Sequence, residues 1–270
     1  MQQKISVIVS TYNWPSALKL SLESLMAQHD DNFEIVVADD GSRDDTRQLI
    51  EEMNKKSPVK IVHAWQEDIG FRLAASRNNA VRSSTGDFLI FIDGDCIVKE
   101  NFLTNYRRLA EAEKVIAGPR VLLSQELSAK LLSGVVSADE FNPFANVFRR
   151  WRAGSINRIA PAISLPLGRL RNVLSPRKWQ VLRGCNWGLM KKNFLFVNGQ
   201  DEMFQGWGLE DSDMAIRLIN AGVKIKTGRF GGIPVFHIWH KQRNTDDPQK
   251  RALLEARIKT KTIYPTKGIN

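Results

Sequence analysis

Two acidic clusters, more than a hundred residues apart, concentrate the chemistry of this 270-residue chain. The first is Asp93-Gly94-Asp95, directly after the apolar run Phe88-Leu89-Ile90-Phe91-Ile92. Two aspartates two positions apart at a strand end can face one divalent cation. A hard cation such as Mg2+ or Mn2+ takes oxygen ligands and neutralises a departing diphosphate. One carboxylate then holds the metal while the other holds a ribose or a metal-bound water. Asp-Gly-Asp is also a common turn, so the preceding strand is what gives the metal reading its weight. The second cluster is Gly206-Trp207-Gly208-Leu209-Glu210-Asp211-Ser212-Asp213. Of two neighbouring carboxylates, Glu210 and Asp211, one can orient an acceptor while the other takes its hydroxyl proton. Both also suit a helix N-terminus, where the dipole favours negative charge. Trp207 lies between glycines, which is unusual for a core tryptophan, and an exposed indole there can stack on a sugar ring.

Three further groups belong with these clusters. Asp39 closes the run Glu34-Ile35-Val36-Val37-Ala38, and its carboxylate can accept the N3–H of a uracil. Capping by the Asp-Gly-Ser loop is the competing reading. His237 and His240 are candidate metal ligands, because imidazole binds manganese-type ions. On one strand their spacing turns the rings to opposite faces, which favours one ligand, not two.

Positioning these groups requires strand ends. Short apolar runs at 5–10, 33–38, 59–65 and 88–92 read as strands. Helical periodicity follows at 15–26, 47–56 (with Asp44 or Asp45 as N-cap), 73–83 and 101–112. Such alternation predicts an α/β fold with a mainly parallel sheet, which binds ligands at the carboxyl ends of its strands. Thr11, Tyr12 and Asn13 fall at one such end, Asp39 at another, and Asp93 and Asp95 at a third. Later strands are expected at 181–189 and 234–239, and later helices at 210–221 and 248–263.

Bulk properties bound the partners. The chain carries Lys+Arg 39 against Asp+Glu 29, a net charge of +10. Such an excess points to an anionic partner. It is concentrated at 141–180, where eight Lys and Arg residues alternate with Phe, Trp, Ile and Leu and no acid appears. That pattern suits an acidic membrane surface or an anionic acceptor. No apolar run is long enough to span a bilayer, and the 5–9 run is too short for a signal peptide. Cys96 and Cys185, far apart in sequence, make no disulfide framework, and a cytoplasmic setting, peripheral on the inner membrane face, is expected. No aromatic RNA-binding signature accompanies the charge, so nucleic acid is the weaker reading. A sugar-nucleotide pyrophosphorylase would carry a Gly-rich basic phosphate loop after its first strand, and Ser10-Thr11-Tyr12-Asn13-Trp14 is not one.

Together, Val7-Ile8-Val9-Ser10-Thr11-Tyr12-Asn13, Val37-Ala38-Asp39-Asp40-Gly41-Ser42, Ala75-Ser76-Arg77-Asn78, Gly86-Asp87-Phe88 and Asp93-Gly94-Asp95 resemble the family 2 glycosyltransferases of the GT-A fold. Residues 183–248 resemble the catalytic end of β-1,4-galactosyltransferases and chondroitin-polymerase-type enzymes, through the Gly206–Asp213 cluster and His237-x-x-His240-Lys241. The resemblance implies a single GT-A domain and an inverting hexosyltransferase that uses a UDP-sugar, Mn2+ or Mg2+, and a saccharide or lipid-linked saccharide acceptor. It implies that Asp39 contacts uracil, Asp93 the ribose, and Arg77 the nucleotide side together with Thr11, Tyr12 and Asn13. It places the metal on Asp95, His240 and, less firmly, His237. Asp211 becomes the base, Glu210 an acceptor-binding carboxylate, and Trp207 and Asn186 the residues touching sugar. The expected organisation is a nucleotide-sugar half at 1–119, a basic insertion at 120–180 with no counterpart in the resemblance, a catalytic half at 181–247 and a basic helix and tail at 248–270.

Overall fold

The computed structural model describes residues 3–168, 170–175, 178–241 and 247–270. Parallel central strands are covered on both faces, so they are apolar throughout and not alternating. β1 (Ile5–Thr11), β2 (Phe33–Asp39) and β4 (Phe88–Asp93) come close to this, being buried nearly end to end, with Ser6 and Glu34 as interior polar residues hydrogen-bonded to each other. Helix α1 (Pro15–Met26) opens on a proline whose missing N–H costs nothing at that position. Helix α2 (Asp44–Lys56) leads to β3 (Ile61–Trp65), and α3 (Leu73–Ser83) leads to β4. Asp44 and Asp45 lie inside the first turn of α2 and do not cap it. They favour the positive end of the helix dipole there, and Arg43 takes the cap position.

After β4 the chain makes the short β5 (Cys96–Val98), α4 (Phe102–Leu109), β6 (Lys114–Ala117) and β7 (Arg120–Leu122). Helices α5 (Gln125–Leu132), α6 (Phe144–Arg152) and α7 (Leu170–Leu174) follow. Then come β8 (Asn186–Met190), α8 (Lys191–Phe196), α9 (Glu210–Asn220), β9 (Lys224–Thr227), β10 (Val235–His237) and α10 (Pro248–Thr260). The large sheet runs β3-β2-β1-β4-β8-β6-β9, and β5-β10-β7 form a second, smaller one. Strands β1 to β4 are mutually parallel, and β8 alone is antiparallel to both its neighbours, β4 and β6. The fold is therefore α/β with a mainly parallel central sheet flanked by helices. The later strands are shorter than the sequence suggests: β8 begins only at Asn186 and β10 ends at His237.

One face of the large sheet packs on α1, α2 and α4 through Leu18, Leu22, Ile50 and Leu103. The other packs on α3, α8 and α9 through Val81, Phe194, Met214 and Leu218, with Phe91 and Trp187 stacked 4.1 Å apart between their strands. The small sheet has its own core, where Ile97, Val121 and Phe236 meet α5, Phe141 and Val147 of α6. Cys96 and Cys185, distant in sequence, share the first core as free thiols, with Cys96 Sγ 3.9 Å from the Cys185 carbonyl.

Helix α9 is fixed by charge. Asp213 holds Arg217 at 2.7 Å on its own helix and Arg257 of α10 at 3.2 Å, and Arg257 also pairs with Asp201. Arg217 and Asp213 are fully buried. Removing one member of such a set leaves an uncompensated charge in a low dielectric. Asp213→Ala is therefore expected to lower the unfolding free energy by about 3–5 kcal/mol. Urea denaturation checks this, and a loss below about 1 kcal/mol would show that α9 is held by packing alone.

Candidate active site

The ends of β1 and β4, the segment before β8 and the start of α9 meet around one side chain, Arg77 of α3, which is fully buried. Its Nε donates to Ser10 Oγ at 3.0 Å, and its Nη2 donates to Asp93 Oδ1 at 3.0 Å and to the Gly184 carbonyl at 2.9 Å. Its Nη1 lies 4.0 Å from Glu210 Oε1 and donates no hydrogen bond. The two acidic clusters of the sequence thus border a single guanidinium.

The loop before α9 is shaped by backbone conformation. Gly206, Gly208 and Leu209 all have positive φ, at 75°, 91° and 75°. Glycine adopts this region without penalty, whereas Leu209 is strained there. The turn delivers Glu210 and Asp211 into the first turn of α9, whose dipole favours them. Asp211 Oδ2 accepts the Gly184 N–H at 2.8 Å, and Oδ1 accepts the Ser212 N–H at 2.7 Å. Glu210 Oε2 is buried without a partner. Burial, then repulsion from Asp211, pushes the Glu210 carboxyl up to about 7, against the pull of Arg77. Burial also raises the Asp211 carboxyl, opposed by the Gly184 N–H. Trp207 remains 37% exposed, and its carbonyl accepts Lys250 Nζ of α10 at 3.3 Å.

The second group lies at the start of the small sheet. Asp95 Oδ1 is 3.5 Å from His237 Nε2, and Oδ2 is 3.5 Å from His240 Nε2. The strand argument for a single imidazole fails here: β10 ends at His237, so the chain is free to turn both rings toward one carboxylate. His237 Nδ1 lies 3.0 Å from the Ile238 carbonyl and His240 Nδ1 3.1 Å from the Lys241 carbonyl. A ring that donates from Nδ1 to a carbonyl presents a bare Nε2 lone pair, the arrangement usual for a metal-ligating histidine. The donor set of one carboxylate and two such nitrogens fits a divalent cation. Burial, the largest influence, raises the Asp95 carboxyl, and both histidines oppose it. The buried Cys96 thiol is also near, 3.8 Å from Asp95 Oδ1. Burial pushes it well up, which keeps it a neutral thiol.

The remaining expected residues are placed as follows. Tyr12 is 41% exposed and donates to Asp68 Oδ2 at 2.9 Å, and Asn13 Oδ1 accepts the Arg43 N–H. Thr11 ends β1, its carbonyl accepting the Asp40 N–H at 3.1 Å. Asp39 has no exposed surface: Oδ2 lies 2.7 Å from His63 Nε2 and Oδ1 accepts the Ser42 N–H at 2.8 Å. Asn186 corrects an expectation. It is fully buried, with Nδ2 donating to the Pro119 and Ile233 carbonyls and Oδ1 accepting from Tyr106, so its polar atoms brace strands. Asp40, read from the sequence as a turn residue, accepts from Gln66 Nε2 and the Arg72 N–H, while His63 and Asp68 were passed over. Their common signal, polar groups at the carboxyl end of β3 and just beyond, was available at 63–68.

Comparison with known proteins adds two matches along the chain. The family described as Glycosyl transferase family 2 matches residues 6–192, and the one described as N-terminal domain of galactosyltransferase matches residues 170–241. The validoxylamine A glucosyltransferase of Streptomyces hygroscopicus subsp. jinggangensis is 29% identical over 83% of this chain and 53% of its own. The hyaluronan synthase of Pasteurella multocida is 28% identical over 86% of this chain and 24% of its own. The chain thus spans about half, or less, of these curated relatives. Among solved structures, the Pyrobaculum calidifontis mannosyltransferase in complex with GDP-Man and Mn2+ has a TM-score of 0.59 at 16% identity, covering 96% of this chain and 70% of that one. S. aureus TarS in complex with UDP-GlcNAc has a TM-score of 0.61 at 17% identity, covering 96% and 66%. These neighbours share the GT-A fold.

The raised Glu210 carboxyl has a consequence for the ligand-free protein. A protonated Glu210 is favoured in the fold, so its contribution to stability is full below the ordinary carboxyl value of 4.5 and is lost as pH rises through about 7. Glu210→Gln removes that loss. The variant is expected to gain thermal stability over the parent at about pH 8 and to show no such gain below about pH 4. Parallel melting-temperature profiles across that range would contradict the assignment.

Proposed function

The chain belongs to glycosyl transferase family 2, and from that premise we propose that it is an inverting glycosyltransferase. It moves a sugar from a UDP-sugar to a hydroxyl of a saccharide acceptor, with Mn2+ or Mg2+ at the site. The convergence of both acidic clusters on Arg77 carries this reading. Relatives named as a glucosyltransferase and a hyaluronan synthase, and a fold neighbour holding UDP-GlcNAc, support the donor class. A neighbour holding Mn2+ supports the cation.

Asp95, His237 and His240 would hold the cation, which supplies positive charge against the departing diphosphate. Asp93, fixed by Arg77, receives the ribose. Thr11, Tyr12, Asn13 and Asp39 surround the base, with His63 setting the Asp39 carboxylate. Trp207 offers its exposed indole to a sugar ring. Asp211 takes the acceptor hydroxyl proton, while the Gly184 N–H fixes Oδ2 and leaves a second lone pair for that proton. Glu210 orients the acceptor. In-line displacement needs base and leaving group on opposite faces of the sugar, and the two clusters flank Arg77 from different elements. That arrangement supports inversion.

Attachment to the inner membrane face belongs to the same proposal. On α6, Phe144, Phe148 and Trp151 recur at helical spacing and are 46%, 41% and 41% exposed. Val147, beside the stripe, is buried in the core of the small sheet, and Arg152 borders its other edge. Glu140 pairs with Arg149 and Arg150, leaving positive charge in excess. Aromatic side chains between arginines suit an anionic bilayer surface. No described helix is long and apolar enough to cross a membrane. Arg169 and Arg177 of the basic segment lie outside the described residues.

Asp211→Asn tests the reaction. Transfer is expected to fall by roughly 10²-fold or more, the scale of a lost general base, while UDP affinity in the presence of Mn2+ holds. A variant that loses UDP binding instead would put Asp211 on the donor side. For α6, flotation with anionic vesicles is expected to carry the protein and to weaken in Phe148→Ala/Trp151→Ala. Equal, negligible flotation with anionic and neutral vesicles would end the membrane proposal.

A further inference from the structure

Four arginines gather beside the site without a counter-charge. Arg120 is the first residue of β7. Arg158 follows Ile156, which bridges back to Leu123. Arg183 precedes Gly184, and Arg229 lies in the turn after β9. They come from four segments, and the backbone explains why they meet. Arg158 Nε and Nη2 donate to the Arg120 carbonyl at 3.0 and 2.7 Å. The Gly118 N–H donates to the Asn186 carbonyl at 2.9 Å, the Asn186 N–H to the Arg183 carbonyl at 3.2 Å, and the Gly228 N–H to the Ala117 carbonyl at 2.8 Å. The crossing is too tight for a side chain at Gly118, where a Cβ would sit 2.3 Å from Asn186. Arg120, Arg183 and Arg229 each lie within three residues of a backbone group in this crossing.

Gathering like charges opposes folding unless a ligand or counter-ion repays it. Among the described residues no ion pair joins any of the four to a carboxylate. Arg229 stands over the Phe230 ring at 5.7 Å, and Arg120 Nε is buried with no hydrogen-bond partner. Burial, then the fields of Arg183, Arg120 and Arg229, lowers the Arg158 guanidinium below its usual range. Arg158, Arg183 and Arg229 are exposed, so their heads are open to a ligand. The cluster also adjoins the proposed base, because Gly184, next to Arg183, donates its N–H to Asp211 Oδ2 at 2.8 Å.

We infer that Arg120, Arg158, Arg183 and Arg229 form an acceptor subsite for an oxyanion, so that the acceptor is a saccharide bearing carboxylate or phosphate groups. Guanidinium forks match the planar oxygens of both. This rests on the glycosyl-transfer reading above and adds the chemistry of its acceptor. The Gly184 contact with Asp211 ties the cluster to the proposed base, which assigns its charge to the acceptor.

The test is calorimetry on the full chain with four probes. These are UDP with Mn2+, an oligosaccharide containing hexuronate, its carboxyl-reduced neutral counterpart, and a phosphorylated oligosaccharide. One anionic oligomer is expected to bind in preference to the neutral saccharide, and which one it is identifies the oxyanion. In Arg158→Gln/Arg183→Gln that binding is expected to weaken on the order of tenfold or more, the worth of one or two charge-assisted hydrogen bonds, and to recover in Arg158→Lys/Arg183→Lys at least in part. UDP affinity should stay unchanged. Anionic and neutral oligomers binding alike would overturn the inference, as would a loss confined to UDP, which would assign the arginines to the diphosphate. A parent chain that takes an anionic oligomer but no UDP with Mn2+ would instead refute the glycosyl-transfer reading and leave the anion site standing.

Discussion

A guanidinium removed from water demands anions or carbonyl oxygens around it, and Arg77 is where this molecule meets that demand. Ser10, Asp93 and the Gly184 carbonyl each accept a hydrogen bond from it, and Glu210 faces it. Those groups belong to β1, β4, the segment before β8, and α9. Burying a charge costs several kcal/mol unless such partners are present, so the position of Arg77 constrains all four elements together. The Gly184 carbonyl it holds belongs to the residue whose N–H holds Asp211. One side chain thereby sets Asp93, proposed to meet the ribose, and, through one residue, the proposed base. The same enclosure explains why Glu210, beside Asp211 and out of water, resists ionisation.

The first half of the fold is legible in the sequence because local rules govern it. Strands β1, β2 and β4 are nearly continuous apolar runs of ordinary length, and each ends on the polar residues that reach the site. Helix α3 has the limits expected from its periodicity. The second half is less legible because it depends on contacts between distant segments. Nothing in Asn186–Met190 announces an antiparallel strand between β4 and β6. Asn186 looks like a site residue because it is polar and near a glycine. Only the structure shows it filling the space that Gly118 leaves open. The resemblance names both His237 and His240, whereas reading the segment as one continuous strand favours a single imidazole. Where a strand stops is set by its neighbours, and β10 has partners only as far as His237.

Charge follows the same division. The excess of +10 and the basic run at 141–180 are visible in the sequence. The cluster of Arg120, Arg158, Arg183 and Arg229 is not, since its members are scattered over more than a hundred positions. The buried set of Asp201, Asp213, Arg217 and Arg257 is equally silent in sequence, yet it fixes α10 against α9 and, through Lys250, steadies the Trp207 turn. Long-range electrostatics places the chemical groups here, while hydrophobic periodicity places the elements that carry them.

Asp95, His237 and His240, brought together from positions more than a hundred apart, form the proposed cation centre. Pulsed electron paramagnetic resonance of Mn2+ bound with UDP tests this without reference to turnover. The account expects nitrogen modulation from directly bound imidazole, its loss in His237→Ala/His240→Ala, and weakened Mn2+ binding in Asp95→Asn. Tightly bound Mn2+ with no nitrogen modulation in the parent protein, or binding indifferent to Asp95→Asn, would contradict it.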